Sequence, residues 1–253
     1  MKKVIAFDLD DTLAVTKSAI SDKMAVLLGE LLERFEVCVI SGGNFEQFKQ
    51  QVIQNLKVTD ESLTRLHIMP TCGTRYFRYD VLDAEWKKIY AENIPEADKK
   101  RIKEALLVAA KQAGYLESNP DGDIVEDRES QITFSGCGQF ASPERKYAWD
   151  PDMKKRLAIK EILTPNLMDY EIRIGGTTSI DITRPGIDKA YGMHKLMAAL
   201  EISKEGILFV GDKLDEGGND YPVKAMGIDT IAVDGWEQTA LVVESINKVS
   251  RIF

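Results

Sequence analysis

Cysteine, histidine and excess positive charge are all scarce in this chain of 253 residues. Its three cysteines, Cys38, Cys72 and Cys137, are an odd number, widely spaced, with no C-x-x-C pair. Free thiols in a reducing compartment are the simplest reading, and the spacing argues against a zinc site. The two histidines, His67 and His194, read as structural. A net charge of -8 and a pI near 5.0 argue against nucleic-acid or anionic-membrane partners, because phosphate backbones and acidic lipids want a basic face. No segment is long and apolar enough to span a bilayer. No G-x-G-x-x-G follows the first apolar run, so a dinucleotide fingerprint is missing. Internal repeats and low-complexity linkers are also missing. The opening Met1-Lys2-Lys3 leads straight into an apolar run that is too short, and too acidic at its end, for a signal peptide. A cytoplasmic protein is therefore expected, with one large domain or two modest ones.

What the sequence does have stands near its start. Val4-Ile5-Ala6-Phe7 reads as a buried strand, and it ends abruptly in Asp8-Leu9-Asp10-Asp11-Thr12. Open α/β sheets place their ligands at such strand tips. Crowding three carboxylates there is costly, and a divalent cation is the usual remedy. Further on, Ser21 caps an amphipathic helix, Val37 to Ile40 is a second strand, Asn44 caps a helix, and Leu66 to Met69 is a third strand. Short strands at Arg75 to Tyr79 and Glu85 to Tyr90 then flank a turn. A helix from Pro95 to Ala113, strands at Ile124 to Glu126 and Gln131 to Ser135, a helix opened by Asp150 and Pro151, and strands at Tyr170 to Ile174 and Ser179 to Thr183 follow. This middle third reads as an antiparallel α+β layer. The alternating order returns after Pro185, with a helix from Lys189, strands at Gly206 to Val210 and Asp229 to Val233, and a closing helix. The expected organisation is an α/β core, 1–82 and 186–253, interrupted by a cap, 83–185.

The residues with chemistry fall at strand tips and helix starts. Asp8 is the candidate nucleophile, since a carboxylate can attack phosphorus and form an acyl phosphate. Asp10, on the tightening turn, can serve the leaving oxygen as acid and the next nucleophile as base. Thr12 can hydrogen-bond within that turn. Ser41, with the backbone amides of Gly42 and Gly43, can hold phosphoryl oxygens. Lys189 would neutralise the nucleophile and the phosphoryl group. Mg²⁺ is the expected cofactor, with Asp8, Asp10, Asp212 and Asp220 as its metal set; Asp10 contributes through a nearby backbone carbonyl, and Asp220 stands behind Asp212.

Asp8-Leu9-Asp10-Asp11-Thr12, Ser41-Gly42-Gly43, Lys189, and Gly211-Asp212 with Asn219-Asp220 resemble the four motifs of the haloacid dehalogenase superfamily. The insert between the third strand and the lysine resembles the C2 cap of its type IIB branch. Within that branch the chain looks most like eukaryotic-type phosphomannomutases, through Gly175-Gly176-x-x-Ser179-Ile180-Asp181, Asp188-Lys189, and Gly211-Asp212-Lys213 followed by Gly217-Gly218-Asn219-Asp220. The resemblance runs over essentially the whole chain and implies a Rossmann-like core with a parallel sheet and an inserted α+β cap. It also implies that Arg128 binds substrate phosphate and that Ser179 and Asp181 contact the sugar.

The departures concern anion grip. Lys17 and Gln139 stand where arginines are expected, and Lys146 (or Arg145, if the alignment slips by one) stands at a third such position. Lysine does not reproduce arginine's planar two-pronged geometry. Asp11 replaces a glycine, and Thr71-Cys72-Gly73 replaces Glu-Asn-Gly. A mutase must hold a bisphosphorylated intermediate while it reorients, whereas a phosphatase needs one phosphate and access for water. The weakened set points to hydrolysis of a small phosphorylated sugar through an aspartyl phosphate. The alternatives are phosphomannomutase-type interconversion of hexose 1- and 6-phosphates, or an inactive phosphate-binding scaffold. A homodimer is possible by the same resemblance.

Overall fold

The computed structural model describes residues 2–250, which divide into two compact units, 2–91 with 188–250, and 92–187. In chain order the first unit opens with β1 (Val4–Phe7), α1 (Asp22–Leu32), β2 (Glu36–Ile40), α2 (Phe45–Gln51), α3 (Asp60–Leu63), β3 (Leu66–Met69), β4 (Arg75–Asp80) and β5 (Glu85–Ala91). The second unit carries α4 (Glu96–Gln112), β6 (Val125–Asp127), β7 (Ile132–Ser135), α5 (Pro143–Trp149), α6 (Lys154–Leu163), β8 (Glu171–Gly175) and β9 (Ser179–Thr183). The first unit resumes with α7 (Lys189–Leu200), β10 (Ile207–Gly211), α8 (Tyr221–Ala225), β11 (Asp229–Ala232) and α9 (Trp236–Ser250).

Seven strands of the first unit form one sheet in the order β11-β10-β1-β2-β3-β4-β5. The first five of these run parallel, as βαβ connections require, and both faces are therefore covered. The odd residues Ile5, Phe7, Val37 and Val39 pack with α1 and α9 on one face. Val4, Ala6, Cys38 and Ile40 pack with Met193 and Leu196 of α7 on the other. β1 pairs with β2 on one side and β10 on the other, so the chain switches direction across the sheet at β1. That switch point is where strand tips from distant sequence positions meet.

Three differences from the sequence reading have physical causes. The turn-flanking strands β4 and β5 extend the first sheet as an antiparallel hairpin, so the first junction falls after Ala91 rather than after Leu82. The rings decide this: Phe77 stacks on Phe45 at 4.0 Å between centroids, and Tyr76 lies on His67 at 5.9 Å. Secondly, α6 starts at Lys154 instead of Asp150. Asp150 still organises that start, because its carboxylate accepts the N–H groups of Lys155 (3.0 Å) and Arg156 (3.1 Å). Thirdly, α5 precedes it, opened by Ser142 accepting from the Arg145 N–H and by Pro143 in its first turn.

The second unit has its own four-stranded antiparallel sheet, β6-β7-β9-β8. Ile132, Phe134, Ile180, Ile182 and Ile172 form a core with Ile102, Leu106 and Ala109 of α4 and Ile159 and Leu163 of α6. Side chains alternate between faces along a strand, so the intervening row Glu126–Thr133–Asp181–Arg173 lies on the opposite, polar face.

Candidate active site

Asp8 follows β1, Ser41 follows β2 and Asp212 follows β10, so three adjacent parallel strands deliver them to one sheet edge. The Asp8 N–H donates to the Val210 carbonyl at 3.0 Å and extends the ladder by one residue. The turn beyond is closed by Leu13 N–H to Leu9 carbonyl (2.9 Å) and Asp11 N–H to Ala14 carbonyl (2.7 Å). Asp11 takes a left-handed φ of 59° there, and its carboxylate accepts from the Thr16 N–H (3.0 Å) and hydroxyl (2.8 Å). The Thr12 hydroxyl reaches out of the turn to Asp212 at 3.4 Å.

Lys189 starts α7, whose N-cap Asp188 accepts from the Tyr191 N–H at 2.9 Å. The helix approaches the strand tips closely: a Cβ on Gly192 would lie 2.8 Å from the Cys72 carbonyl oxygen. The loop that it meets, Thr71-Cys72-Gly73, has three successive positive φ values, 50°, 55° and 85°. Backbone bonds hold the strained turn, from Thr71 N–H to Gly43 carbonyl and from Cys72 N–H to Ser41 carbonyl, both 3.0 Å.

The Lys189 ammonium sits between two carboxylates, 2.6 Å from Asp8 and 2.5 Å from Asp220. All three side chains are buried. Asp220 also accepts the Lys213 N–H at 3.0 Å, and Gly211 leaves room for it, since a Cβ there would lie 2.7 Å from Asp220 Cγ. Among the described residues, carboxylate oxygens of Asp8, Asp212 and Asp220 lie within 4.8 Å of one another. Burial drives the Asp8 carboxyl well above its usual range, Lys189 opposes this, and the neighbouring Asp220 and Asp212 charges push it further up. Burial would lower Lys189, yet the Asp8 and Asp220 charges overcome it and hold the ammonium well above its ordinary value. One buried ammonium thus faces three carboxylates, with the Lys213 ammonium touching Asp212 from the exposed side. Hard oxygen donors with a deficit of positive charge fit a divalent cation.

The Asp10 carboxylate lies outside the acidic cluster, which leaves the backbone-carbonyl part expected for Asp10 in the metal set untouched. Its carboxylate turns toward α2, where it accepts from Gln47 Nε2 (2.9 Å), Gln51 Nε2 (3.2 Å) and the Lys17 N–H (2.8 Å). Three donors satisfy it there, which explains its absence from the acidic cluster. Gln47 and Gln51 escaped the sequence reading. Their spacing of four, directly after Ser41-Gly42-Gly43, is the signal, because it puts both on one helical face. Ser41 Oγ accepts the Gly43 N–H at 3.3 Å, so that amide faces the serine.

Within the second unit, Asp181 accepts the Thr133 hydroxyl (2.7 Å), and Ser179 lies two residues before it on β9, in register with Ser135. Arg128 donates to Glu126 at 2.8 Å, and Lys146 to the Gln139 carbonyl at 2.8 Å. Arg145 instead pairs outward with Asp121 and Glu117. Buried Arg156 donates to the Gly175 (3.2 Å) and Gly176 (2.7 Å) carbonyls, fixing the turn ahead of Ser179.

A doubly wound sheet with an aspartate–lysine–aspartate cluster at its switch point, interrupted by an α+β insert, defines the class: the haloacid dehalogenase fold of phosphoryl-transfer enzymes. Solved structures agree on the fold. A haloacid dehalogenase-like hydrolase from Bacteroides thetaiotaomicron superposes with a TM-score of 0.64 at 16% identity, over 97% of this chain and 100% of that one. An IMP-nucleotidase from Plasmodium falciparum gives 0.68 at 17% identity, over 97% and 68%. In sequence, the family model described as eukaryotic phosphomannomutase matches residues 24–246. "Phosphomannomutase 2" of Dictyostelium discoideum is 28% identical over 228 residues, 87% of this chain and 86% of the relative. The chain belongs to the eukaryotic phosphomannomutase family. No helix among the described residues is long and apolar enough to cross a membrane.

Proposed function

We propose that this chain interconverts a hexose 1-phosphate and 6-phosphate by phosphoryl transfer through Asp8. The observation that carries the reading is the buried Asp8–Lys189–Asp220 pairing beside Asp212. Family membership supports interconversion over the hydrolysis expected from the missing arginines, because the curated relatives are named phosphomannomutases.

An Asp8 carboxylate oxygen attacks a phosphorus of a hexose 1,6-bisphosphate, and the bond from that phosphorus to the sugar oxygen breaks, leaving an aspartyl phosphate and a hexose monophosphate. Asp10 gives a proton to that leaving oxygen. It then takes a proton from the 6-hydroxyl of a hexose 1-phosphate, whose oxygen attacks the phosphorus of the aspartyl phosphate, frees Asp8 and gives the bisphosphate; after reorientation the bisphosphate returns its 1-phosphoryl group to Asp8 and leaves as the hexose 6-phosphate. Lys189 balances negative charge on Asp8 and on the transferring group. Ser41 and the Gly42 amide offer hydrogen bonds to the phosphoryl oxygens. Asp8, Asp212 and Asp220 would hold Mg²⁺, which supplies Lewis-acid charge stabilisation when bound. In the second unit, Arg128, Lys146, Ser179 and Asp181 are the residues proposed for the sugar and its other phosphate.

Hydrolysis is the second reading, and one observation favours it. The three positions expected to be arginine are Lys17, Gln139 and Lys146, with the Lys17 ammonium bonded to Gln47 and the Lys146 ammonium to the Gln139 carbonyl. The test is incubation with mannose 1-phosphate, Mg²⁺ and a hexose 1,6-bisphosphate. Mannose 6-phosphate forming faster than inorganic phosphate is the expected result. Phosphate release without the 6-phosphate would establish a phosphatase instead.

A further inference from the structure

We infer that Gln47 is a positioning residue for phosphoryl transfer: it fixes the rotamer of Asp10, Lys17 in turn fixes Gln47, and Gly43 leaves the room that Gln47 occupies. This inference rests on the reading of Asp10 as the acid–base group.

The orientation of the Gln47 amide follows from its partners. A lysine ammonium has donors only, so the oxygen of the amide must face it, and Gln47 Oε1 takes the Lys17 Nζ bond. Nε2 is thereby directed at Asp10 Oδ2, 2.9 Å away. Reversing the amide would set two donors against each other at Lys17 and two acceptors against each other at Asp10. Room for this side chain comes from Gly43, where a Cβ would lie 2.7 Å from Gln47 Cδ. The second glycine of the Ser41-Gly42-Gly43 motif therefore accommodates the glutamine.

The other oxygen of Asp10 is held independently. Oδ1 accepts the Lys17 N–H at 2.8 Å and Gln51 Nε2 at 3.2 Å, while Gln51 Nε2 also donates to the Ser18 carbonyl at 2.7 Å. Lys17 adopts a left-handed φ of 61°, which aims its N–H inward at Asp10 while its side chain runs to Gln47. Without these donors, a carboxylate two residues from Asp8 could swing toward the metal cluster. The clamp keeps it out of that cluster and in one place for proton transfer. A misplacement of about 1 Å in a catalytic group costs on the order of a hundredfold in rate.

The experiment is a double-mutant cycle on turnover of mannose 1-phosphate with Mg²⁺ and a hexose 1,6-bisphosphate, counting both mannose 6-phosphate and free phosphate. Gln47→Met keeps the length and removes the donor. It is expected to lower kcat by about ten- to a hundredfold with KM within about threefold. In an Asp10→Asn background the same change is expected to cost less than about twofold, because Gln47 acts through Asp10. Costs that multiply in the double variant, or a loss carried by KM, would overturn the positioning role. A second readout needs no turnover: the Gln47 side-chain amide resonances, assigned by their disappearance in Gln47→Met, should move in Asp10→Asn. Resonances that stay in place would overturn the contact itself. Full activity of Asp8→Asn would instead remove the phosphoryl-transfer reading, and the positioning role with it.

Discussion

At the scale of single residues, the site is an electrostatic arrangement built around one ammonium. Lys189 is 1% exposed and has the buried Asp8 and Asp220 as partners. Such a pair is costly to half-remove, because the partner left behind is a buried charge with no counter-ion. Lys189→Met leaves two carboxylates in that position. Urea unfolding in the presence of chelator should show a loss of about 3–5 kcal/mol, and Mg²⁺ should restore part of it by bringing positive charge back to the same carboxylates. A variant as stable as the parent in chelator would show that the ammonium does not hold this cluster together. Asp8, Lys189, Asp212 and Asp220 were legible in the sequence because each is anchored by a strand tip or a helix start that its neighbours announce. Asp10's surroundings were not: its contacts to Gln47 and Gln51 bridge 37 and 41 positions of sequence, and only the folded turn brings the two amides to it.

At the scale of elements, β2, β3 and β4 share a polar link through their buried interior. His67 on β3 contacts Tyr76 on β4 (Nδ1 to hydroxyl, 2.6 Å) and Glu36 on β2 (Nε2 to carboxylate, 2.8 Å). Burial lowers the imidazole below its ordinary value, Glu36 opposes this, and Arg78 adds to the lowering. Burial holds the Tyr76 hydroxyl well above its usual range, so it remains a donor. The neutral imidazole then accepts at Nδ1 and donates from Nε2 to Glu36, which makes the histidine–glutamate contact a hydrogen bond between a neutral ring and a carboxylate. Unfolding at mildly acidic pH lets this ring bind a proton that the folded state excludes. Stability should therefore be intact above 6.5, the ordinary imidazole value, and fall as pH drops through the lowered folded value. Urea midpoints measured across this range should show a steeper acid loss for the parent than for His67→Gln; parallel curves would contradict the assignment. The sequence reading treated His67 as structural, and periodicity located β3, but periodicity could not assign β4 and β5 to a sheet. Alternating strands read alike in a core or an insert, and here the Phe45–Phe77 stack made the choice. Helix α5 was missed for a related reason: it spans seven residues, too few for a periodic pattern to stand out, although its Ser-Pro start is a helix signal.

At the scale of the whole molecule, two units with separate cores divide the labour. The first carries every group proposed for bond making, on a sheet whose parallel strands deliver Asp8, Ser41 and Asp212 to one edge. The second offers a polar sheet face with Ser179 and Asp181 two residues apart, and its turn is fixed by Arg156. A chain with net charge -8 has no general attraction for phosphate esters, so recognition has to be local, through a cation at the carboxylates and a few placed basic groups. The overall architecture was legible because strand–helix alternation breaks off and resumes around the insert. The chemical outcome was less so, since three substituted arginine positions suggested hydrolysis while the family to which the chain belongs is named for interconversion.

Both outcomes share one intermediate, and a direct measurement addresses it. The protein is incubated with Mg²⁺ and a hexose 1,6-bisphosphate, quenched, and reduced with borohydride, which converts an aspartyl phosphate to homoserine. Peptide mass spectrometry is predicted to find homoserine at position 8, and to lose it when Mg²⁺ is replaced by chelator. Reduction at another aspartate, or an unmodified Asp8 under conditions of active turnover, would contradict the account.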